Sequence, residues 1–347
     1  MDVCPNEILD LIFSEACVDD GFTGRSLSLV SKRIHDTSRR YTFQSIALYG
    51  PHRISSFAHV LDKADLKYHT IRHLYLADRS RFWVEGRPDQ DKKRDTPPAR
   101  IRLLSRPSRP QDRLPIPQML TLLLFDKYDE QPLSDAISLP RLHELTVHDP
   151  SLARIPSPLP RCLSLRRLHV IFALGRPWTA AMSHLAPHLT HLRISGLGSS
   201  PLPLMDIVCS LERLPPTAPQ DDLASKDAGL VGFPPTLERV LVQLLQNHFH
   251  NLDCANQSAQ VLLVTPMALH LKNTAMQDVR RRIVLLKPAW MSGNLPELLT
   301  GESADVQFYM GLTAAWQRRT EGLESAVWDV ERESVLASYG YWAGDQQ

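Results

Sequence analysis

Glycine and cysteine are both scarce in this chain, and neither has the spacing that common chemical sites require. The 15 glycines in 347 residues form no phosphate-binding loop. The five cysteines are scattered, and no two of them are separated by two residues, which argues against a zinc site and against a disulfide framework. We therefore expect free thiols in a reducing compartment.

The chain also lacks an excess of charge of one sign and lacks a long apolar run. Its formal net charge of +1 gives no reason to expect nucleic acid or a membrane surface as a partner. No apolar run reaches the ~20 residues of a membrane helix, and the acidic start lacks the blocks of a signal peptide. Apolar residues make up 43 %, so a sizeable core is possible. We expect a soluble protein of the cytoplasm, the nucleus or both.

The first 46 residues carry the clearest local signals. Pro5 suits the first position of a helix, and apolar residues then recur at helical spacing at Ile8, Leu9, Ile12, Phe13 and Ala16. Asp19 to Gly21 ends this helix. A second helix is predicted to begin near Arg25 or Ser26 and to run toward Arg40.

These residues resemble the F-box family. Cys4-Pro5-Asn6-Glu7-Ile8-Leu9, followed by Ile12-Phe13, is similar to the opening usually written L-P-x-E-[LI]-L-x-x-I-F. Leu27 to Arg33 resembles the second-helix pattern, and Tyr41 to Ile46 resembles the exit into the next domain. Cys4 replaces the usual leucine, and Ile34 stands where an aromatic residue is common.

The resemblance implies a partner. It implies that this module binds a Skp-type adaptor subunit, and through it a cullin, by eight residues: Pro5, Ile8, Leu9, Ile12, Phe13, Leu29, Val30 and Ile34. So short a module buries little surface alone, which fits a helical docking element. The alternative is that these side chains form only the core of a helical hairpin.

A degenerate repeat follows this module. An apolar–x–x–apolar–x–apolar pattern recurs along the chain, and its middle residues are Ile46, Leu74, Leu122, Leu145, Leu168, Leu192, Val240 and, more weakly, Leu262. From Leu74 the steps are 48, 23, 23, 24, 48 and 22 residues. Such spacing falls within the range of leucine-rich repeats, in which each unit gives one parallel strand. The pattern resembles the irregular repeats that follow the F-box in fungal F-box proteins, although the usual asparagines are missing.

Two further segments have an open interpretation. Residues 79–113 are rich in Lys, Arg and Pro, which favours a solvated loop over a basic contact surface or a nuclear-import signal. After residue 266 we expect a strand at Val279–Leu286 and a helical segment at Ala304–Ser338. That segment would cap the repeats, or else its aromatic residues, Trp316 among them, would bind a partner.

No catalytic or metal-binding motif is present in the sequence. His184, His188 and His191 lie close together in the chain, but Pro187 interrupts them and no further ligand is evident. Nucleophile elbows and zinc-hydrolase helices are missing as well. We expect no cofactor, no metal and no enzyme activity.

The sequence therefore predicts an α/β protein in three parts. An F-box helical module at 1–46 precedes an irregular leucine-rich-repeat solenoid at 47–265, and a C-terminal strand and helical cap follow at 266–347. The predicted function is substrate recognition for an SCF-type (Skp–cullin–F-box) ubiquitin ligase, with a target protein held by the repeats. A non-ligase interaction scaffold and an unrecognised enzyme on an irregular α/β fold are the alternatives.

Overall fold

The structure is a computed structural model of the chain. It describes residues 4–63, 71–78, 117–123, 141–148, 161–171, 179–197, 201–212, 233–247, 269–278, 282–291, 313, 316–318 and 320. The basic segment 79–113 and the weak repeat around Leu262 lie outside these residues. Within the described ranges, no helix combines the length and the apolar content needed to cross a bilayer.

Three helices open the chain, and the strands follow in sequence with further helices between some of them. The helices are α1 (Asn6–Ala16), α2 (Phe22–Leu27), α3 (Lys32–Ser38), α4 (Pro51–Lys63), α5 (Thr179–Leu185) and α6 (Pro201–Glu212). The strands are β1 (Ser45–Tyr49), β2 (His73–Ala77), β3 (Met119–Leu123), β4 (Glu144–His148), β5 (Arg167–Ile171), β6 (His191–Leu197), β7 (Arg239–Asn247) and β8 (Ile283–Met291). Residues 269–277 are also helical. The strands form one open, parallel sheet in chain order, so the predicted α/β class is confirmed.

The chain divides into two compact units. The first comprises Met1–Leu145 and Gly301–Val327, and the second comprises Thr146–Thr300 and Trp328–Gln347. The first unit contains the three opening helices together with β1, α4, β2 and β3. Strands β5 to β8 and helices α5 and α6 belong to the second unit.

The same backbone hydrogen bonds connect several neighbouring strands. The carbonyl of the residue before one strand accepts from two successive amides at the start of the next strand. In the first unit the Gln44 carbonyl accepts from Arg72 and His73 at 2.8 and 3.0 Å, and the Arg72 carbonyl accepts from Gln118 and Met119 at 2.9 Å each. The second unit repeats the arrangement: the Arg166 and Thr190 carbonyls each accept from a pair of amides. The repeated geometry sets the parallel register in both units.

This register confirms most of the predicted strand positions. Ile46 pairs with Leu74 in the first unit, and in the second unit Leu168 pairs with Leu192, which pairs with Val240. These are the equivalences that the repeat spacing predicts. All five side chains are buried, because each lies on the sheet face that carries the leucines.

Strand β3 departs from the prediction by two residues. Leu74 pairs with Leu120 rather than with Leu122, which instead pairs with Leu76. A shift of two residues keeps the same side chains on the same face, whereas a shift of one would turn them to the other side. The alternating leucines of β3 therefore fit either alignment, and the hydrophobic pattern alone does not select one.

The C-terminal predictions have mixed outcomes. The last strand exists, but it begins at Ile283, four residues after the predicted start at Val279. Of the predicted helical segment, the described residues 313, 316–318 and 320 are helical. Trp316 is fully buried and packs against Tyr75 of β2, with 5.3 Å between the ring centroids. This position excludes Trp316 from partner binding in this conformation.

In the second unit a partly buried polar network joins α5 to α6. The Asp206 carboxylate accepts hydrogen bonds from the backbone N–H and the hydroxyl of Thr179 at 3.2 and 3.0 Å, and the Ser210 hydroxyl donates to Thr179 Oγ1 at 2.9 Å. A carboxylate that accepts the first amide of a helix satisfies a backbone N–H that has no partner within the helix. The network therefore fixes the start of α5 against α6.

The first unit contains a histidine whose charge state depends on folding. Burial, together with the nearby Arg72 charge, lowers the pKa of His73 to about 4. Because an unfolded histidine has a pKa near ~6.5, the unfolded chain binds the extra proton first. The stabilising contribution of neutral His73 is present above pH 6.5, and it is lost as the pH falls toward 4.

We expect acidification from pH 7.5 to 4.5 to lower the free energy of unfolding of the wild type by up to about 3 kcal/mol more than that of His73→Phe. The variant has no titrating group at this position. Denaturant unfolding at both pH values measures the difference. His52→Phe, at an exposed site on α4, is the matched control and should behave like the wild type. Identical pH dependence in wild type and His73→Phe would contradict this assignment.

Candidate partner-binding surface

The N-terminal module consists of three helices, each fixed by a local hydrogen bond. The Pro5 carbonyl accepts from the amides of Ile8 and Leu9 at 3.2 Å and starts α1. Asp19 accepts from the backbone N–H of Thr23 at 3.1 Å, which supports the start of α2. Ser31 Oγ accepts from the Ile34 amide at 3.2 Å and caps α3.

The expected single second helix is therefore wrong. A turn at residues 28–30 separates α2 from α3, and Ser31 after it has an extended backbone with φ −162° and ψ 163°. A serine in this conformation ends one segment and caps the next, because its side chain replaces the missing helical acceptor. Leu29 and Val30 consequently lie in a turn and not on a helical face.

Four buried side chains form the core of the module: Leu9 and Phe13 from α1, Cys17 after it, and Ile34 from α3. Cys4, Leu27 and Tyr41 pack around this core. Burial, and secondarily the charge of Asp19, raises the pKa of Cys17 to about 11. The thiol is therefore protonated at neutral pH and serves as a small apolar side chain rather than as a nucleophile.

Polar side chains fix the helices to one another and to the sheet. Arg33 of α3 donates to Asn6 Oδ1 from Nε at 3.3 Å and from Nη2 at 3.1 Å, and it also donates to the Cys4 carbonyl. Arg40 pairs with Asp10 of α1. Gln44 Nε2 donates to the Ser14 carbonyl at 2.7 Å, which links α1 to the residue before β1. These bonds fix α1 and α3 relative to each other and to the residue before β1.

Apolar side chains remain exposed on this module although its core is complete. On α1 the exposed residues are Ile8, Leu11 and Ile12, at 45 %, 64 % and 51 %; they are spaced as neighbours on one helical face and are called the α1 patch below. Leu29 and Val30, at 87 % and 60 %, form the turn patch. Large apolar side chains exposed in such a cluster are typical of a binding surface.

The hydrogen bonds of Arg33 connect the start of α3, which follows the turn patch, with the start of α1. Arg33 follows Val30 by three residues, and its guanidinium holds Asn6, which precedes Ile8 by two residues. The turn patch and the first turn of α1 are therefore joined through one side chain.

The structure separates the eight predicted contact residues into two groups. Pro5, Ile8, Ile12, Leu29 and Val30 are exposed. Leu9, Phe13 and Ile34 are buried at 5 % or less, so they support the surface from inside and are not available for contact. Leu11 and Phe22, both exposed, were missed. The spacing of Leu11 from Ile8 was a usable signal, whereas nothing in the local pattern singles out Phe22.

One histidine–serine pair in the second unit has the residue types of a catalytic pair. His169 Nε2 lies 3.0 Å from Ser195 Oγ across the β5–β6 pairing. Both residues are buried, with Ser195 fully so, and a substrate cannot reach the hydroxyl in this conformation. The pair acts as a cross-strand hydrogen bond. Among the described residues there is also no group of three metal-ligating side chains placed to hold an ion.

We expect Phe13→Ala to destabilise the first unit by about 3–5 kcal/mol, because the deletion leaves a cavity in a small core. Ile12→Ala, one residue away on the exposed side, should change stability by less than about 1 kcal/mol. Denaturant unfolding of the full chain compares the two variants. Equal effects would show that the division between buried and exposed residues is wrong.

Gly24 tests the packing of α2 against the residues before β1. A Cβ at this position would lie 2.8 Å from the Thr42 Cα, which is a backbone atom and cannot move aside cheaply. We expect Gly24→Ala to destabilise the protein by about 1–3 kcal/mol, despite the better helix propensity of alanine. Ser26→Ala on the exposed side of α2 is the control. Unchanged thermal unfolding of Gly24→Ala would contradict the close approach.

Comparison with known proteins gives no relative for this chain. No family model matches it, and neither a curated protein nor a solved structure does so. The function inferred for the exposed surface therefore depends on its own geometry and on the sequence pattern.

Proposed function

We propose that this protein is a substrate-recognition adaptor of an SCF-type ubiquitin ligase. In this proposal the N-terminal module is an F-box that binds a Skp-type subunit, and through it a cullin. The observation that carries the proposal is that the α1 patch and the turn patch stay exposed while Leu9, Phe13 and Ile34 complete the core beneath them.

The exposed patches have the chemistry of a docking surface for helices. They contribute aliphatic side chains and no charge, and the Arg33 hydrogen bonds hold the start of α3, which follows the turn, against the start of α1. Removal of one such side chain from water contributes ~1.5–3 kcal/mol. Because the surface is already ordered by its capping bonds and core, little conformational entropy is lost when a partner binds.

The remainder of the chain supplies the target-binding part in this proposal. Leucines in register on successive parallel strands support an irregular leucine-rich-repeat solenoid, in which each unit buries its apolar side against the next. The mechanism is proximity: a target held by the sheet is kept near a ubiquitin-charged enzyme, which raises its effective concentration. No residue of this chain performs chemistry.

The α1 patch provides the direct test. We expect Ile12→Asp to weaken capture of a purified Skp-type subunit by roughly 30-fold or more, because a central apolar anchor contributes ~2 kcal/mol. Adding Val30→Asp should abolish capture, since both patches then carry a charge. Affinity measured with the full chain quantifies the loss.

Leu163→Asp is the matched control, since Leu163 is exposed to a similar extent but belongs to the second unit. Its capture should equal that of the wild type, and circular dichroism should show that all variants are folded. If folded Ile12→Asp/Val30→Asp captures the subunit as well as the wild type does, the F-box assignment is wrong. Capture of the Skp-type subunit without cullin would instead favour a scaffold outside the ligase.

A further inference from the structure

The sheet of the first unit has a second face, opposite the one that carries Leu74, Leu76, Leu120 and Leu122. Side chains alternate along a strand, so Tyr75, between Leu74 and Leu76, points away from the leucine face. Thr121 pairs with Tyr75 and shares that second face, which also carries Tyr49, whose ring centroid lies 5.3 Å from that of Tyr75. These side chains are buried. Another part of the chain must therefore cover them.

The cover comes from the far end of the sequence. Thr313 Oγ1 lies 3.0 Å from the Tyr75 hydroxyl, and the Trp316 ring stands 5.3 Å from the Tyr75 ring at an angle of 57°. Both Thr313 and Trp316 are helical and belong to the first unit. Thus a helical segment separated by 238 residues from Tyr75 occupies this face through one hydroxyl and one aromatic ring.

The occupant does not satisfy the face completely. The Trp316 indole nitrogen is buried without a hydrogen-bond partner, and so are the hydroxyls of Thr121 and Ser45 on the same side of the sheet. A buried donor without an acceptor is costly, because it has lost its water and gained nothing in exchange. A different occupant that supplied partners for the Thr121 and Ser45 hydroxyls would bind the face better than the resident segment does.

We propose that this face is the target-binding surface of the protein and that the segment carrying the helical residues Thr313 and Trp316 is a displaceable internal occupant of it. The proposal rests on the proposed function and specifies its target class. The target is a helical segment with an aromatic anchor and a nearby hydroxyl or amide side chain. Such a segment repeats the Thr313 and Trp316 contacts and can also pair with Thr121.

The resident segment itself provides the probe. A fluorescent peptide with the sequence of residues 308–324 is titrated into the full-length variant Trp316→Ala, whose own segment has lost its anchor. We expect this variant to bind the peptide about tenfold or more tightly than the wild type, because the intact segment competes for the face. The same peptide with alanine in place of its tryptophan should not bind.

Phe22→Ala is the matched control, since it removes an exposed aromatic ring from the first unit without touching this face. It should bind the peptide as weakly as the wild type does. Equal affinities for the wild type and folded Trp316→Ala would overturn the proposal, and so would binding of the peptide that lacks tryptophan. None of these measurements involves the Skp-type subunit, so their failure is distinct from failure of the F-box assignment.

Hydrogen exchange on the unmodified chain decides the question independently of whether Trp316→Ala folds. A displaceable segment opens without unfolding of the sheet. We expect the amides of residues 316–318 to exchange at least about tenfold faster than those of Leu74 and Leu76 in β2. Exchange of both groups at one rate, through one common unfolding event, would show that the segment is a fixed part of the core and would overturn the proposal.

Discussion

The fold depends on a repeated pair of hydrogen bonds. In each pair, the backbone carbonyl that precedes one strand accepts from two successive amides at the start of the next strand. Gln44, Arg72, Gln118, Arg166 and Thr190 all provide this carbonyl. Their side chains are of three types, Gln, Arg and Thr, and none is required by the interaction, because it uses only the main chain. The register of a parallel sheet can therefore be kept while the repeat sequence diverges. Regular strand geometry can therefore coexist with an irregular sequence pattern.

The sequence predicted the strands well because each leucine face has to be buried. Leu168, Leu192 and Val240 lie side by side as their spacing indicated, since burial requires apolar residues at alternate positions. The same pattern could not align β3, where Leu120 and Leu122 both satisfy the burial requirement. Hydrophobic periodicity specifies the face of a strand, whereas the backbone bonds specify its partner residue.

The N-terminal module shows a different limit of sequence inference. Ile8, Leu9, Ile12 and Phe13 look equivalent in the sequence, yet two are buried and two are exposed. A helix turns by about 100° per residue, so the apolar side chains at positions 8, 9, 12 and 13 spread over a wide sector of α1. That sector includes both the side that faces the core and the side that faces solvent. The division depends on where α3 packs, and α3 in turn depends on the cap at Ser31. That serine was a recognisable start signal within the run of residues interpreted as one helix.

The distance in sequence between Tyr75 and the segment that covers it has a consequence for synthesis. Because Thr313 follows Tyr75 by 238 positions, a ribosome adding ~5–20 residues per second needs roughly 10–50 s to make the covering segment after β2 has been synthesised. During that interval the aromatic face of β1 and β2 is accessible to water, chaperones and other nascent chains. The first unit therefore cannot reach its final form until almost the whole polypeptide has been translated.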